Sequence, residues 1–185
     1  MRKPGSGRGL FAGATIAAAL CALATTAPAQ SRALPGGASS LNEVHGDWTV
    51  RCRVTAKDGA QTTACAMSQQ QSDRKTRRLA LEISLVPLAQ GGARGVIVMP
   101  FGLSVTKPIQ LSVKDRPIGK PRWFSTCIPA GCLVPLDLSA AAIKAVSDGA
   151  KLRIEATAGD GRPFRVDAPL KGFASAYGRT ADLLK

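Results

Sequence analysis

Histidine and aromatic side chains are scarce in this chain of 185 residues. It contains one histidine, His45, and its two tryptophans, one tyrosine and five phenylalanines make up only 4% of the sequence. A Ser-His-Asp or Cys-His mechanism would have to use His45, and no Gly-x-Ser-x-Gly motif supplies a serine nucleophile. The small number of aromatics also disfavours stacking of single-stranded nucleic acid. We expect a protein that is not an enzyme, with no catalytic residue, no cofactor and no nucleic-acid partner.

Acidic residues are scarce as well, and the chain is strongly basic. Twelve Asp and Glu residues stand against 25 Lys and Arg residues, which gives a formal net charge of +13. The acidic residues are scattered, so nothing points to the paired carboxylates of a glycosidase. A basic field of this size favours anionic partners, such as lipopolysaccharide phosphates, other polyanions or acidic protein surfaces.

Long hydrophobic runs are absent after the first 29 residues, so we expect no transmembrane span. The N-terminus has the three parts of a secretory signal: cations near its start, an apolar stretch over 10–23 and a small-x-small site at 27–29. We predict that residues 1–29 are a signal peptide, whose removal takes away three cations and leaves a charge of +10. The sequence therefore predicts an exported protein that stays in the periplasm, associates with the outer membrane or is secreted, with at most peripheral membrane contact.

Four cysteines remain after residue 29, and in an oxidising compartment they form disulfides: Cys52, Cys65, Cys127 and Cys132. Four cysteines allow three pairings, of which the two local pairs are the most economical. Cys52 and Cys65 flank the Asp-Gly turn of a predicted hairpin, and the other two flank a tight turn. Loop entropy gives about 3 kcal/mol for the first pair and about 2 kcal/mol for the second. The alternatives are a zinc site and a redox couple. A zinc site needs two closely spaced cysteine pairs, and a redox couple favours two residues between its cysteines, whereas four separate Cys127 from Cys132.

Short apolar runs separated by Gly and Pro turns dominate the rest of the chain. Residues 79–85 alternate strictly between large apolar side chains and smaller or polar ones, which is typical of a half-buried strand. Many such runs at roughly ten-residue spacing indicate an antiparallel sandwich or barrel. We predict an all-β fold: an antiparallel, β-sandwich-like single domain with one short helix, stabilised by disulfides.

The short helix is expected over 139–148, with Ser139 capping its start. A second, shorter helical piece is expected near Phe173–Tyr177, where Gly172-Phe173 would tuck the C-terminal segment onto the sandwich. The predicted boundaries are a flexible lead over 30–42, the β domain over 43–178 and a C-terminal tail over 179–185.

Two groups of basic residues lie at predicted turns. The denser group is Arg74, Lys75, Arg77 and Arg78, and the second is Lys114, Arg116, Lys120 and Arg122. Such residues commonly do no more than solvate a surface, and the functional interpretation is a footprint for a polyanion or an acidic protein. We predict that the first group binds anions, and that neutralising its four residues weakens association with the cell envelope at low salt.

Five short motifs occur in order: Trp48-x-x-x-Cys52, Cys65-x-Met67-x-Gln69, Met99-Pro100-Phe101-Gly102-Leu103, Phe124-x-x-Cys127-x-x-x-Gly131-Cys132 and Leu170-x-Gly172-Phe173-x-x-Ala176. Their order and spacing, over roughly residues 42–177, resemble the invasion-associated locus B family of exported proteins from Gram-negative bacteria. The resemblance implies a disulfide-stabilised β-rich domain in the periplasm or at the outer membrane. It also implies, in pathogenic members, a link to entry into host cells. The family has no catalytic residues to carry over.

Together these features predict an exported, non-enzymatic cell-envelope protein that binds an envelope component or a protein partner, with a role in host-cell interaction. The alternative from another class is a periplasmic enzyme or a thiol-redox helper that uses the Cys127–Cys132 pair. The reduction potential separates the two, because a structural disulfide resists glutathione whereas a catalytic one is reduced readily.

Overall fold

Strands with alternating buried and exposed side chains make up most of the protein. The computed structural model describes residues 34–57, 60–73 and 75–185. A short 3-10 turn over Pro35–Gly37 precedes the first strand. The strands are β1 (Ser40–His45), β2 (Trp48–Lys57), β3 (Ala60–Ser72), β4 (Leu79–Pro87), β5 (Ala93–Met99), β6 (Gln110–Val113), β7 (Arg116–Pro117), β8 (Thr126–Ile128), β9 (Gly131–Leu138), β10 (Lys151–Thr157) and β11 (Pro163–Pro169). The helices are α1 (Ala140–Ser147) and α2 (Phe173–Leu183).

Within the described ranges the strands form two antiparallel sheets. The large sheet has the order β1-β2-β3-β4-β5-β9-β8, and the small sheet has the order β11-β10-β6-β7. Both sheets contribute one face to a single hydrophobic core. In the large sheet the buried Ile97 lies between Ile83 and Val134, and in the small sheet the buried Leu111 lies opposite Ile154. The prediction of an all-β, antiparallel, sandwich-like fold is confirmed.

Both predicted disulfides are present, and each joins two residues that lie directly opposite each other in neighbouring strands. Cys52–Cys65 links β2 to β3, and both of its cysteines are buried in the core. Cys127–Cys132 links the short edge strand β8 to β9, and its Cys127 is exposed. The first disulfide is therefore part of the core, whereas the second fixes a turn at the edge of the large sheet.

The ordered fold begins before the predicted boundary at residue 43. Strand β1 starts at Ser40, and Leu34 is buried in the core. The predicted flexible lead over 30–42 is therefore wrong for its second half, because β1 pairs with β2 along its whole length. The predicted signal peptide and the Asp58-Gly59 turn lie outside the described residues.

Helix α1 confirms the helix predicted over 139–148. The Ser139 hydroxyl accepts a hydrogen bond from the backbone amide of Ala142 at 3.2 Å, as an N-cap residue does. Ile143 and Val146 are buried on the face that meets the core.

Helix α2 is longer than the helical piece predicted near Phe173–Tyr177, so the predicted tail over 179–185 is wrong. The described residues contain two α-helices, where the predicted fold class had one short helix. The helix continues to Leu183 because its buried face continues: Phe173, Ala176 and Thr180 are all buried. The Thr180 hydroxyl donates to the Ala176 carbonyl at 2.7 Å, which lets a polar residue occupy that face. No helix in the described part of the chain is long and apolar enough to cross a membrane.

Helix α2 closes over the first hairpin of the domain. The rings of Phe173 and Trp48 meet edge to face, with centroids 5.0 Å apart. The Trp48 indole N–H donates to the Pro169 carbonyl at 3.3 Å, and the Asp47 amide donates to the Lys171 carbonyl at 3.0 Å. The expectation that Gly172-Phe173 holds the C-terminal segment against the sandwich is confirmed.

Candidate functional site

Three connections meet at one end of the large sheet, and we call this end the tip. It consists of the described residues of the β3–β4 turn (73 and 75–78), the start of the β5–β6 loop (100–102) and the β8–β9 turn with the strand-end residue on each side of it (128–131). Strand register brings them together, because the β3–β4 and β8–β9 turns lie at the same end as the last residue of β5. A shallow cavity of about 450 Å³ joins the three connections and is lined by Arg78, Leu79, Pro100, Phe101, Pro129 and Ala130.

The β3–β4 turn is built around the carboxylate of Asp73. It accepts hydrogen bonds from the backbone amide and hydroxyl of Thr76 at 2.7 and 2.9 Å, and from the Lys75 amide at 3.0 Å. The Thr76 bonds hold the pKa of Asp73 below its usual range, so this carboxylate stays ionised. Because Asp73 is engaged by the backbone, its charge organises the turn while the nearby cations face solvent.

The cations of this turn are exposed and make no ion pair with any described residue. They are Lys75, Arg77 and Arg78. Arg77 has a positive φ of 58°, and the backbone bond from its amide to the Asp73 carbonyl, 2.9 Å long, fixes that conformation. Arg74, the fourth residue of the predicted anion-binding group, lies outside the described residues.

The tip also carries exposed apolar side chains. Phe101 is 62% exposed and Ile128 is 42% exposed. The backbone beside Phe101 is held in place, since the amide of Gly159, in the β10–β11 turn, donates to the Gly102 carbonyl at 2.7 Å. Phe101 therefore projects from a backbone that is anchored to the small sheet. In the sequence Phe101 stands out as part of a family motif rather than as a site residue, and the signal for its exposure is an aromatic residue directly after Pro100, where β5 has ended.

The second basic group does not join the tip. Lys114 and Arg116 lie at the turn between β6 and β7, beside Ala145 of α1 and its C-cap residue Asp148. Val113 pairs with Leu152 at the start of β10, whereas the tip loop bonds to Thr157 at its end. At roughly 3.3 Å per residue, the stretch of β10 from Leu152 to Thr157 spans about 17 Å. The second basic group therefore lies near the start of β10, whereas the loop that follows Phe101 meets the end of β10.

His45, the one histidine, belongs to the contact between β1 and α2. Its Nε2 lies 3.4 Å from a Glu43 carboxylate oxygen. Both Glu43 oxygens also accept hydrogen bonds from the Arg179 guanidinium, each at 2.8 Å. This cluster joins the first strand to the last helix. In the described residues no three His, Cys, Asp or Glu side chains gather as a metal site would require.

We expect the contact between Glu43 and Arg179 to make stability depend on acid. The Arg179 guanidinium holds the pKa of Glu43 below its usual range. The stability that this contact contributes is complete above the unfolded pKa of ~4.3 and is lost as pH falls through the lower folded value. Glu43→Gln should therefore unfold at lower urea than the wild type near pH 7 and lose less further stability between about pH 5 and 3. Urea midpoints measured over that pH range test this prediction. Glu82→Gln is the control, because Glu82 makes no ion pair in the described chain. Parallel pH profiles of the midpoint for Glu43→Gln and the wild type would contradict the prediction.

The family model described as "Invasion associated locus B (IalB) protein" matches residues 48–181. The chain belongs to the invasion-associated locus B family. The matched residues include all three connections of the tip and both disulfides.

Relatives within this family are similar over most of the chain. An invasion protein B homolog of Brucella abortus strain 2308 is 40% identical over 153 residues, which are 82% of this chain and 86% of the relative. Invasion protein B of Bartonella bacilliformis is 35% identical over 155 residues, 82% of this chain and 81% of the relative. The crystal structure of invasion associated protein B from Bartonella henselae superposes with a TM-score of 0.69 at 29% identity, covering 77% of this chain and 96% of that one. The locus B fold and family are thus shown independently by sequence and by structure.

Proposed function

We propose that this chain is an exported, non-enzymatic protein of the cell envelope that binds an anionic envelope component through its tip. The observation that carries the proposal is the set of exposed cations Lys75, Arg77 and Arg78, which make no ion pair within the described chain. Some other basic residues are already paired with a carboxylate, as Arg153 is with Asp167 and Asp115. Lys114 and Arg116 of the second basic group make no ion pair in the described chain either, and the tip is singled out because it holds three exposed cations within four residues of one turn. Cations without a partner in the protein are the ones free to pair with an external anion.

The location rests on the sequence features of the N-terminus and on the disulfides. A signal-like segment over 1–29 supports export, and two disulfides are typical of an oxidising compartment. The relatives from Brucella and Bartonella carry the name of invasion proteins. We extend to this chain a role in host-cell contact that consists of binding rather than catalysis.

Neutralising the tip should remove most of the salt-sensitive envelope association. We expect the double variant Lys75→Gln, Arg78→Gln to lose retention on isolated envelopes at about 0.02 M salt, where exposed charges act over about 20–30 Å. The wild type should be retained there and released as the salt rises to about 0.5 M. The matched control is Lys114→Gln, Arg116→Gln, which removes the same two residue types from the far end of β10. Equal retention of the tip variant and the wild type across the salt series would contradict the proposal.

A further inference from the structure

We infer that the tip docks on the surface of an anionic lipid bilayer, with Phe101 and Ile128 inserted at the level of the headgroups. This rests on the proposed function and names the partner that the tip takes. The argument starts from the composition of the tip, where exposed cations and exposed apolar side chains share one end of the molecule. A soluble polyanion would use the cations and leave Phe101 in water, whereas a bilayer interface uses both.

The arrangement suits an interface because the two kinds of side chain come from adjoining connections. Arg78 and Phe101 line the same shallow cavity, with Pro129 and Ala130 of the β8–β9 turn on its other side. Cations that lie beside the apolar groups can reach lipid phosphates while those groups enter the interface. Both connections start from ends of strands in the large sheet, so they project in the same direction.

The backbone of the tip is fixed before any partner arrives. The Cys127–Cys132 disulfide closes the β8–β9 turn. Gly131 has a φ of 147°, and a Cβ there would overlap the Met99 carbonyl, so this turn packs directly against the end of β5. The hydrogen bond from Gly159 to Gly102 holds the loop of Phe101. A preorganised tip loses little conformational freedom on docking, which lowers the entropic cost of membrane contact.

A bilayer is favoured over an acidic protein because it needs no shape complementarity from the tip. Phe101 and Ile128 are exposed on separate connections, and the shallow cavity of the tip is lined by Phe101 itself. A protein partner recognises aromatic anchors mainly where they fill well-packed pockets. Capture of an acidic protein without vesicle binding is therefore an outcome that would overturn the inference.

The test uses the whole processed protein, with both disulfides intact, and sedimentation with vesicles. The probes are vesicles of phosphatidylcholine with about one third phosphatidylglycerol, vesicles of phosphatidylcholine alone, and soluble inorganic polyphosphate. We expect binding to the anionic vesicles and little to the neutral ones. Each cation near an anionic surface is worth about fivefold in partitioning, so Lys75→Gln, Arg78→Gln should lose about 25-fold. The control Lys114→Gln, Arg116→Gln should stay close to the wild type.

The apolar part is tested separately with Phe101→Ser. It should weaken binding to anionic vesicles roughly tenfold and leave polyphosphate binding unchanged, because only the bilayer buries the ring. The matched control is Val86→Ser, an exposed apolar residue seven positions along β4 from the tip residue Leu79. As a second readout, Phe101→Trp in a Trp123→Phe background should shift its fluorescence to the blue with anionic vesicles.

The outcomes separate the two proposals. Vesicle binding by Phe101→Ser equal to wild type, or no blue shift from Phe101→Trp, would overturn the insertion of the tip. Binding to polyphosphate without binding to vesicles would also overturn it and would leave the proposed anion binding in place. If the Lys75→Gln, Arg78→Gln variant keeps both its envelope retention and its polyphosphate binding, the proposed function itself is overturned.

Discussion

Trp48→Ala is expected to lower the free energy of unfolding by about 4 kcal/mol, the loss typical of a fully buried large aromatic. Trp48 is 1% exposed and meets Phe173 edge to face, and its indole N–H is hydrogen-bonded to the Pro169 carbonyl. The change removes contacts among the large sheet, β11 and α2 at one point. Urea unfolding with both disulfides oxidised measures the difference.

The matched control is the other tryptophan of the chain. Trp123 is 59% exposed, so Trp123→Ala should change stability by less than about 0.5 kcal/mol. Trp48→Phe keeps most of the ring volume and serves if the alanine variant does not fold; it should lose about 1–2 kcal/mol. Similar losses for Trp48→Ala and Trp123→Ala would show that the contact of α2 with the first hairpin does not carry this energy.

Gly172→Ala is expected to destabilise the protein by about 4 kcal/mol. Gly172 has a φ of 86°, a conformation that costs a residue with a Cβ about 1–2 kcal/mol. An added Cβ would also overlap the His45 carbonyl oxygen and lie 2.9 Å from the Gly46 amide nitrogen. Both neighbours are backbone atoms of the β1–β2 turn, so relief requires α2 and the first hairpin to separate, at a further cost of about 1–3 kcal/mol.

Gly178→Ala provides the control, and its expected effect has the opposite sign. Gly178 lies inside α2, and an added Cβ would have no atom within 4 Å. Alanine is favoured over glycine in a helix by about 0.5–1 kcal/mol, so this variant should be more stable than the wild type. Thermal unfolding of the two variants side by side measures both changes, and a destabilised Gly178→Ala would mean that α2 does not persist to its end in solution.

The fold was predictable where the pattern of side chains is local. The alternation over 79–85 gives β4, and the Ser139 cap with Ile143 and Val146 gives α1. The two disulfides followed from local pairing because each cysteine pair flanks one hairpin turn. In each case the periodicity or the turn chemistry lies within about fifteen residues of sequence.

The C-terminal helix was underestimated because its last turns are specified by distant partners. Arg179 is held by Glu43, which lies 136 residues earlier, and Thr180 is buried against the core although it is polar. The start of β1 was missed for the same reason, since Ser40 gains its place by pairing with Arg53. Sequence patterns of a single segment do not contain such long-range contacts.

The candidate site was predictable only in part. The cations at 75, 77 and 78 stand out in the sequence as a dense basic run. The apolar residues beside these cations could not be found in the same way. Phe101 and Ile128 reach the same end of the sheet only through the strand register across β4, β5 and β9. That Phe101 and Ile128 stand beside the first basic group is a property of topology rather than of local sequence.

The packing of α2 on the first hairpin has a consequence for how the polypeptide matures. Trp48 lies in β2, and the ring that packs against it, Phe173, lies at the start of α2, which follows all eleven strands in the chain. Until α2 packs against the first hairpin, the Trp48 indole lacks the ring that covers it and this part of the core is open to water. Native burial of this tryptophan therefore reports that α2 has docked on the first hairpin.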